Sequence, residues 1–267
     1  MGKKRGIAVA VFSDLHVNST VGLNPPDVEL PEGQTVSQSV RGRWLWDNWL
    51  AYVDMVRRFS EGRRLFAVCN GDLCDFNHKQ RAPQYITTDK ATALRMAVDA
   101  LYPMLDLNPE KVFIVSGTEA HTGLNRWMER KVAADIGAEY SETKRVAFDG
   151  VAFDFQHEGE KSGRSWTAQN AISRMAYEIV HNHVIRGEKP PMLAYRAHVH
   201  IPADSYDAFP TRAIITPSFQ LQTAYFKTLN RTGAILPIGG HVVVCEDGKY
   251  EVHKYEVEPE REGYDAY

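Results

Sequence analysis

Residues 7–16 read Ile-Ala-Val-Ala-Val-Phe-Ser-Asp-Leu-His, and residues 65–75 read Leu-Phe-Ala-Val-Cys-Asn-Gly-Asp-Leu-Cys-Asp. In both, a short, unbroken apolar run empties into a polar turn that carries an aspartate. An apolar run without polar alternation is the pattern of a strand covered on both faces. A third such run, 112–115, ends at Ser116-Gly117. Helical spacing separates the three. Apolar residues at 45, 49, 52, 53 and 56 predict a one-sided helix over 44–59, and similar stretches predict helices over 89–105 and 121–136, the last stopped by Gly137. Strand–helix–strand alternation of this kind predicts an α/β layered core.

Beyond residue 145 the pattern changes. A hairpin is expected over 146–155, turning at Asp149-Gly150, then a helix over 165–184. Strands follow near 192–197, 211–216, 240–245 and 249–256, with Asp247-Gly248 as a second hairpin turn. No internal repeat or linker breaks the chain, so residues 1–267 are expected to form a single domain. Residues 18–40 contain Gly22, Pro25, Pro26, Pro31 and Gly33 without periodicity. A loop this long is expected to serve as a lid or substrate-binding insertion.

Composition narrows the class. The 267 residues are 43% hydrophobic and 24% charged, ordinary for a globular protein. Lys and Arg number 31 against 34 Asp and Glu, a net charge of −3, so no global basic field exists to coat a nucleic acid. Cys69, Cys74 and Cys245 lack zinc-ribbon spacing and fit a reducing compartment. The opening Met-Gly-Lys-Lys-Arg-Gly is followed by an apolar run too short for export, and position 6 is not the Ser or Thr of a myristoylation signal. No stretch approaches the ~20 apolar residues of a membrane helix. A cytoplasmic protein with no membrane partner is the expectation. The oligomeric state is open.

The chemistry collects at strand ends. Asp14-Leu15-His16, Gly71-Asp72-Leu73-Cys74-Asp75, Gly117-Thr118-Glu119-Ala120-His121, His157-Glu158-Gly159 and Ala197-His198-Val199-His200 each follow an expected strand. The carboxyl ends of strands are where open α/β sheets bind ligands. In D-x-H and H-x-H on extended chain, alternate side chains point the same way, so both can face one ion. Imidazoles mixed with carboxylates suit Mn, Fe, Zn, Co or Ni rather than Ca. A carboxylate such as Asp72 can bridge two cations ~3.5–4 Å apart.

Together these five blocks resemble the calcineurin-like metallophosphoesterases, whose pattern runs D-x-H, G-D-x-x-D/N, G-N-H-D/E, H and G-H-x-H. The resemblance spans Asp14 to His200. It implies a four-layer α/β/β/α sandwich with two central mixed sheets, and two divalent transition-metal ions, manganese foremost. It places Asp14, His16 and His200 on one ion, His157 and His198 on the other, and Asp72 between them, with Asp75 just outside. The chain departs from the pattern at the third block. Glu119 is taken as the stand-in for the family's asparagine ligand, with Thr118 the alternative, and His121 becomes the general acid. Lys161, Arg164 and Arg196 lie near the ligand histidines in sequence and are candidates to hold phosphate oxygens. Trp44, Trp46 and Trp49, and Tyr225 and Phe226, are each either core or a stacking surface.

The implied activity is hydrolysis of a phosphate ester, as phosphodiesterase or phosphatase, with a hydroxide between the metals as nucleophile. A DNA or RNA nuclease of the same superfamily is the alternative, and a non-catalytic metal-binding protein a third reading. The substrate class is a phosphate ester, with nucleotides and nucleic acids included.

Overall fold

The computed structural model describes residues 6–76, 85–159, 165–223 and 235–260. Its first half contains strands β1 (Ile7–Phe12), β2 (Asp27–Glu29), β3 (Thr35–Ser37), β4 (Arg64–Asn70), β5 (Lys111–Val115) and β6 (Glu139–Ser141). Helices α1 (Val40–Ser60), α2 (Lys90–Leu105), α3 (Glu119–Thr122) and α4 (Trp127–Ile136) lie among them. The second half contains β7 (Thr143–Phe148), β8 (Val151–Gln156), helix α5 (Ser165–Val184), β9 (Leu193–Arg196), β10 (Ala203–Asp204), β11 (Arg212–Ile215), β12 (Ile238–Glu246) and β13 (Lys249–Val257).

Two mixed sheets stack face to face. One runs β13-β12-β1-β4-β5-β6, the other β10-β11-β9-β8-β7. The reason is visible in β1, where every residue is buried. Ala8, Ala10 and Phe12 face a core shared with Leu45, Trp49 and Tyr52 of α1 and Met96, Ala97 and Leu101 of α2. Val9 and Val11 face the other way, into a core with Phe153 and Phe155 of β8 and Tyr195 of β9. On the far side of the second sheet, Ile172, Met175 and Ala176 of α5 cover Ala213 and Ile215 of β11. Helices outside and two sheets inside make the four-layer α/β/β/α sandwich. Each large side chain buried in it is worth about 1.5–3 kcal/mol, which fits β1, serving two cores, carrying no polar residue.

Local signals set the element ends. Ser39 caps α1, its Oγ accepting from Gly42 N at 3.1 Å, and Asp89 caps α2 through Thr92 N at 2.7 Å. Asp149 (φ 48) and Gly150 (φ 83) form the β7–β8 turn, as the sequence predicts. Two expectations change. Residues 121–136 are not one helix: Gly123 (φ 83), Asn125 (φ 56) and Arg126 (φ 53) break the stretch into α3, a 3₁₀ turn and α4. Residues 18–40 are not structureless: β2 and β3 pair as a hairpin, and Arg95 Nη2 of α2 donates to Glu29 O at 2.5 Å. Trp49 is fully buried and Trp44 and Trp46 pack against the same core, so this trio is structural. Tyr225 and Phe226 lie outside the described residues. Among the described residues no helix is long and apolar enough to cross a membrane.

Candidate metal centre

β1, β4 and β5 run parallel, as do β8 and β9, so five carboxyl ends converge at one edge of the sandwich. The loops there are tied to each other by backbone. Asp14 N donates to Gly71 O, His16 N to Asp72 O, Phe219 N to Asp14 O and Ala197 N to His157 O. Asn18 extends the tie, its amide donating to Asp75 O and Thr87 O.

The side chains do not converge by strand alternation. Asp14 (φ 52), His16 (φ 45), Asp72 (φ 50), His198 (φ 71) and His200 (φ 56) all occupy the left-handed region. Such conformations cost a non-glycine residue ~1–2 kcal/mol each and cluster where function requires them. The D-x-H and H-x-H pairs therefore face inward through tight left-handed turns, not through the two-residue period of extended chain.

Three groups of possible ligands result. Asp14, His16 and His200 form the first, Asp72, His157 and His198 the second, and His16, Asp75 and His121 a third that shares His16 with the first. In the first, His200 Nε2 is 3.2 Å from Asp14 Oδ1 and 3.2 Å from His16 Nε2. In the second, Asp72 Oδ2 is 3.0 Å from His157 Nε2 and 3.8 Å from His198 Nδ1. Asp14 Oδ1 also lies 3.9 Å from His157 Nε2, so this carboxylate, expected in one group, touches both. Asp72, expected between the groups, has Oδ1 bound by Thr118 N at 2.6 Å and Thr118 Oγ1 at 3.1 Å.

These distances fit ligands around ions. Donors ~2.0–2.2 Å from a shared cation, at angles of ~90–120°, stand ~3.0–3.8 Å apart. Asp14 Oδ1, His157 Nε2 and His198 Nδ1 are buried and make no hydrogen bond, although oppositely polarised atoms lie nearby. Buried polar atoms left so are rare unless a ligand completes them. His157 Nδ1 donates to Asn70 O at 2.6 Å, which turns Nε2 into the site.

The electrostatics favour added positive charge. Burial alone would raise Asp14, but His200 and His157 hold it well below the usual carboxylate range. Asp72 behaves likewise, burial being outweighed by His157 and His198. His157 is correspondingly pushed up to about 10, burial notwithstanding, chiefly by Asp72 and Asp14. Asp14, His16, Asp72 and His157 are at most 2% exposed, whereas the side chains of His198 and His200 are 22% and 19% exposed. The centre therefore opens to solvent on the side of the H-x-H loop.

The third block divides. His121 Nδ1 is 3.3 Å from Asp75 Oδ1, and its ring sits edge-on to His16 with centroids 4.5 Å apart. Burial opposes its charge, yet Asp75 and Asp72 raise it to about 9. Thr118 reaches Asp72, as above. Glu119, the expected ligand, turns its Oε1 to Asn125 N at 3.1 Å and joins none of these groups. Arg196 is not free to hold phosphate: it is 5% exposed, with Nη2 2.7 Å from Asp154 Oδ2 and Nη1 donating to Asp154 O and Tyr195 O. A guanidinium ending a buried strand has to be paired where it lies. Lys161 and Arg164 lie outside the described residues.

One charged residue at the site escapes sequence reasoning. Glu129 is fully buried on α4, where Oε2 accepts from Gly117 N at 2.8 Å and Oε1 from Leu73 N at 3.2 Å. Burial and the neighbouring Asp72 push it up to about 7. Its signal was a charge at a stripe position: Val132, Ala133 and Ile136 follow it at spacings of three, four and seven.

No family model and no curated protein matches this chain. Solved structures do. A dimetal phosphatase from Danio rerio aligns over 95% of this chain and 98% of its own, at 10% identity and a TM-score of 0.50. Vacuolar Protein Sorting 29 from Cryptosporidium parvum aligns over 96% and 100%, at 10% identity and a TM-score of 0.45. A 5'-nucleotidase from Candida albicans aligns over 94% of this chain at 10% identity and a TM-score of 0.45, and this chain spans 51% of that longer protein. The likeness is one of fold, and the fold is that of the calcineurin-like metallophosphoesterases.

Proposed function

We propose that this chain, as one domain, hydrolyses phosphate esters at a centre of two divalent transition-metal ions. The observation that carries the reading is the pair of convergent groups, Asp14/His16/His200 and Asp72/His157/His198, in which Asp14 Oδ1, His157 Nε2 and His198 Nδ1 are buried without hydrogen-bond partners. Each group offers imidazole and carboxylate, the donor set of Mn, Fe, Co, Ni or Zn. Bound there, such ions supply Lewis acidity toward phosphoryl oxygens and a lowered pKa for water. The dimetal phosphatase of similar fold agrees with this assignment.

The chain's own residues divide the work. Asp14 is within reach of donors of both groups and holds them in register. Asn70 O fixes the His157 tautomer, and Thr118 fixes which oxygen of Asp72 is left facing His157. His121, a third exposed and held by Asp75, stands at the open side as the proton donor to the departing oxygen. Thr118 takes the place at the site for which Glu119 was the first choice from sequence, acting as an orienting hydroxyl beside Asp72.

The test is a panel of aryl phosphomonoesters and diesters, cyclic nucleotides, and single- and double-stranded DNA, each with Mn²⁺, alongside the metal content of the purified protein. Hydrolysis of at least one ester class, lost in Asp72→Asn and His157→Ala, is expected. A protein that binds no transition metal refutes the reading. One that binds two ions and hydrolyses nothing is a metal-binding protein, and cleavage of DNA alone makes it a nuclease.

A further inference from the structure

Resting on that metal-centre reading, we infer that Glu129, which belongs to neither group of ligands, is a positioning residue that sets the aim of the Asp72 carboxylate by clamping two separate loops together. Asp72 leaves the end of β4, and Thr118 leaves the end of β5. Glu129 Oε1 accepts from the residue that follows Asp72, and Oε2 accepts from the residue that precedes Thr118. Arg126, one turn earlier, holds the next peptide along, its Nε donating to Gly117 O at 2.9 Å. Both peptide groups flanking Gly117 are thus held, one by its nitrogen and the other by its oxygen, by residues at the start of α4.

The clamp works at close quarters. A Cβ on Gly117 would lie 2.2 Å from Asp72 N and 2.3 Å from Asp72 Oδ1, so the two loops already touch with nothing between them. Across that contact Thr118 donates to Asp72 Oδ1 from both its backbone nitrogen and its hydroxyl. Oδ1 takes the two shorter bonds, while Oδ2, 3.3 Å from the same hydroxyl, lies 3.0 Å from His157 Nε2. If the loops slip, the carboxylate turns. A carboxylate is suited to this task because it offers two acceptors to two N–H groups, and a buried N–H without an acceptor is costly.

Glu129→Gln keeps the size but replaces one acceptor by a donor that faces an N–H. Partners of this kind commonly change metal affinity by 10–100-fold. The experiment is calorimetric titration of Mn²⁺ into the metal-stripped full chain, parent and variant, with thermal unfolding of both stripped proteins and aryl phosphodiester hydrolysis over a range of Mn²⁺. The expected result is that one of two binding steps, that of Asp72, His157 and His198, weakens by about 10–100-fold. The other step holds, and excess Mn²⁺ restores turnover. General damage to the fold would weaken both steps and would not be relieved by metal.

An unchanged isotherm in Glu129→Gln, or equal weakening of both steps, overturns the inference and leaves the phosphoesterase reading standing. A parent that takes up neither Mn²⁺ nor any other divalent transition metal overturns both. Should Glu129→Gln fail to fold, Arg126→Ala decides by the same criteria, since it releases the carbonyl of the same residue, Gly117, from a partly exposed position.

Discussion

Replacing Gly71 by alanine puts a methyl carbon 2.3 Å from Nδ1 and 2.5 Å from Cγ of His157. Ordinary contact begins near 3.4 Å, so the ring has to retreat by about 1 Å, or the Gly71 loop has to do so. Neither is free to move: Gly71 O accepts from Asp14 N, and His157 Nδ1 is held by Asn70 O. Ligand positions tolerate only about 0.2 Å, and a displacement of about 1 Å in an active site costs ~100-fold in rate. Stability suffers twice. Gly71 has φ +90, which costs alanine ~1–2 kcal/mol, and overpacking adds ~1–3 kcal/mol. Gly62→Ala separates the two effects, because Gly62 has φ +74 but nothing within 4 Å of the added carbon. It should lose only the ~1–2 kcal/mol of backbone strain and keep full activity. Urea unfolding, Mn²⁺ titration and aryl phosphodiester turnover on both variants make the comparison. If Gly71→Ala binds Mn²⁺ and turns over like Gly62→Ala, close packing on the glycine is not what places His157, and the reasoning fails.

His121→Ala should slow esters with poor leaving groups by about 10²–10⁴-fold and activated aryl esters far less; equal losses on both remove the general-acid role. Arg196→Ala leaves the buried Asp154 only the exposed Arg145 as partner and should destabilise the protein in urea unfolding by less than the ~3–5 kcal/mol of a fully unpaired buried charge, with KM unaltered at conditions where it is folded. A raised KM would return Arg196 to the substrate site. For Asp204, burial raises the carboxyl, but Arg212 and Lys254 outweigh it and hold it below its ordinary value. A depressed folded value means stabilisation that is present above about pH 4 and lost as pH falls through the folded value. Asp204→Asn should therefore be less stable than the parent at neutral pH, and the gap should close in acid. A gap that stays constant with pH contradicts the ion pair.

The sequence alone determined the strands β1, β4 and β5 and the residues that follow them. β1, β4 and β5 had to be apolar on both faces because both faces are covered, and that requirement is local enough to read. Asp14, His16, Asp72, His157, His198 and His200 were legible because chemically matched residues recur after each such strand. The Asp149-Gly150 turn was legible because its conformation demands those residue types.

Only the tertiary structure decided the rest. The break between α3 and α4 depends on Asn125 and Arg126 adopting positive φ, which no spacing rule anticipates. Glu119 and Thr118 are adjacent, yet one faces Asn125 and the other Asp72, because the first turn of α3 begins between them. Arg196 looked like a phosphate clamp in sequence and is bound to Asp154 on the neighbouring strand. Glu129 looked like an ordinary helix glutamate, and it holds two loops from different strands. Residue type and spacing are properties of one segment and can be read along the chain. Which way a side chain turns depends on partners supplied by other segments, and those are fixed only when the sheets have stacked.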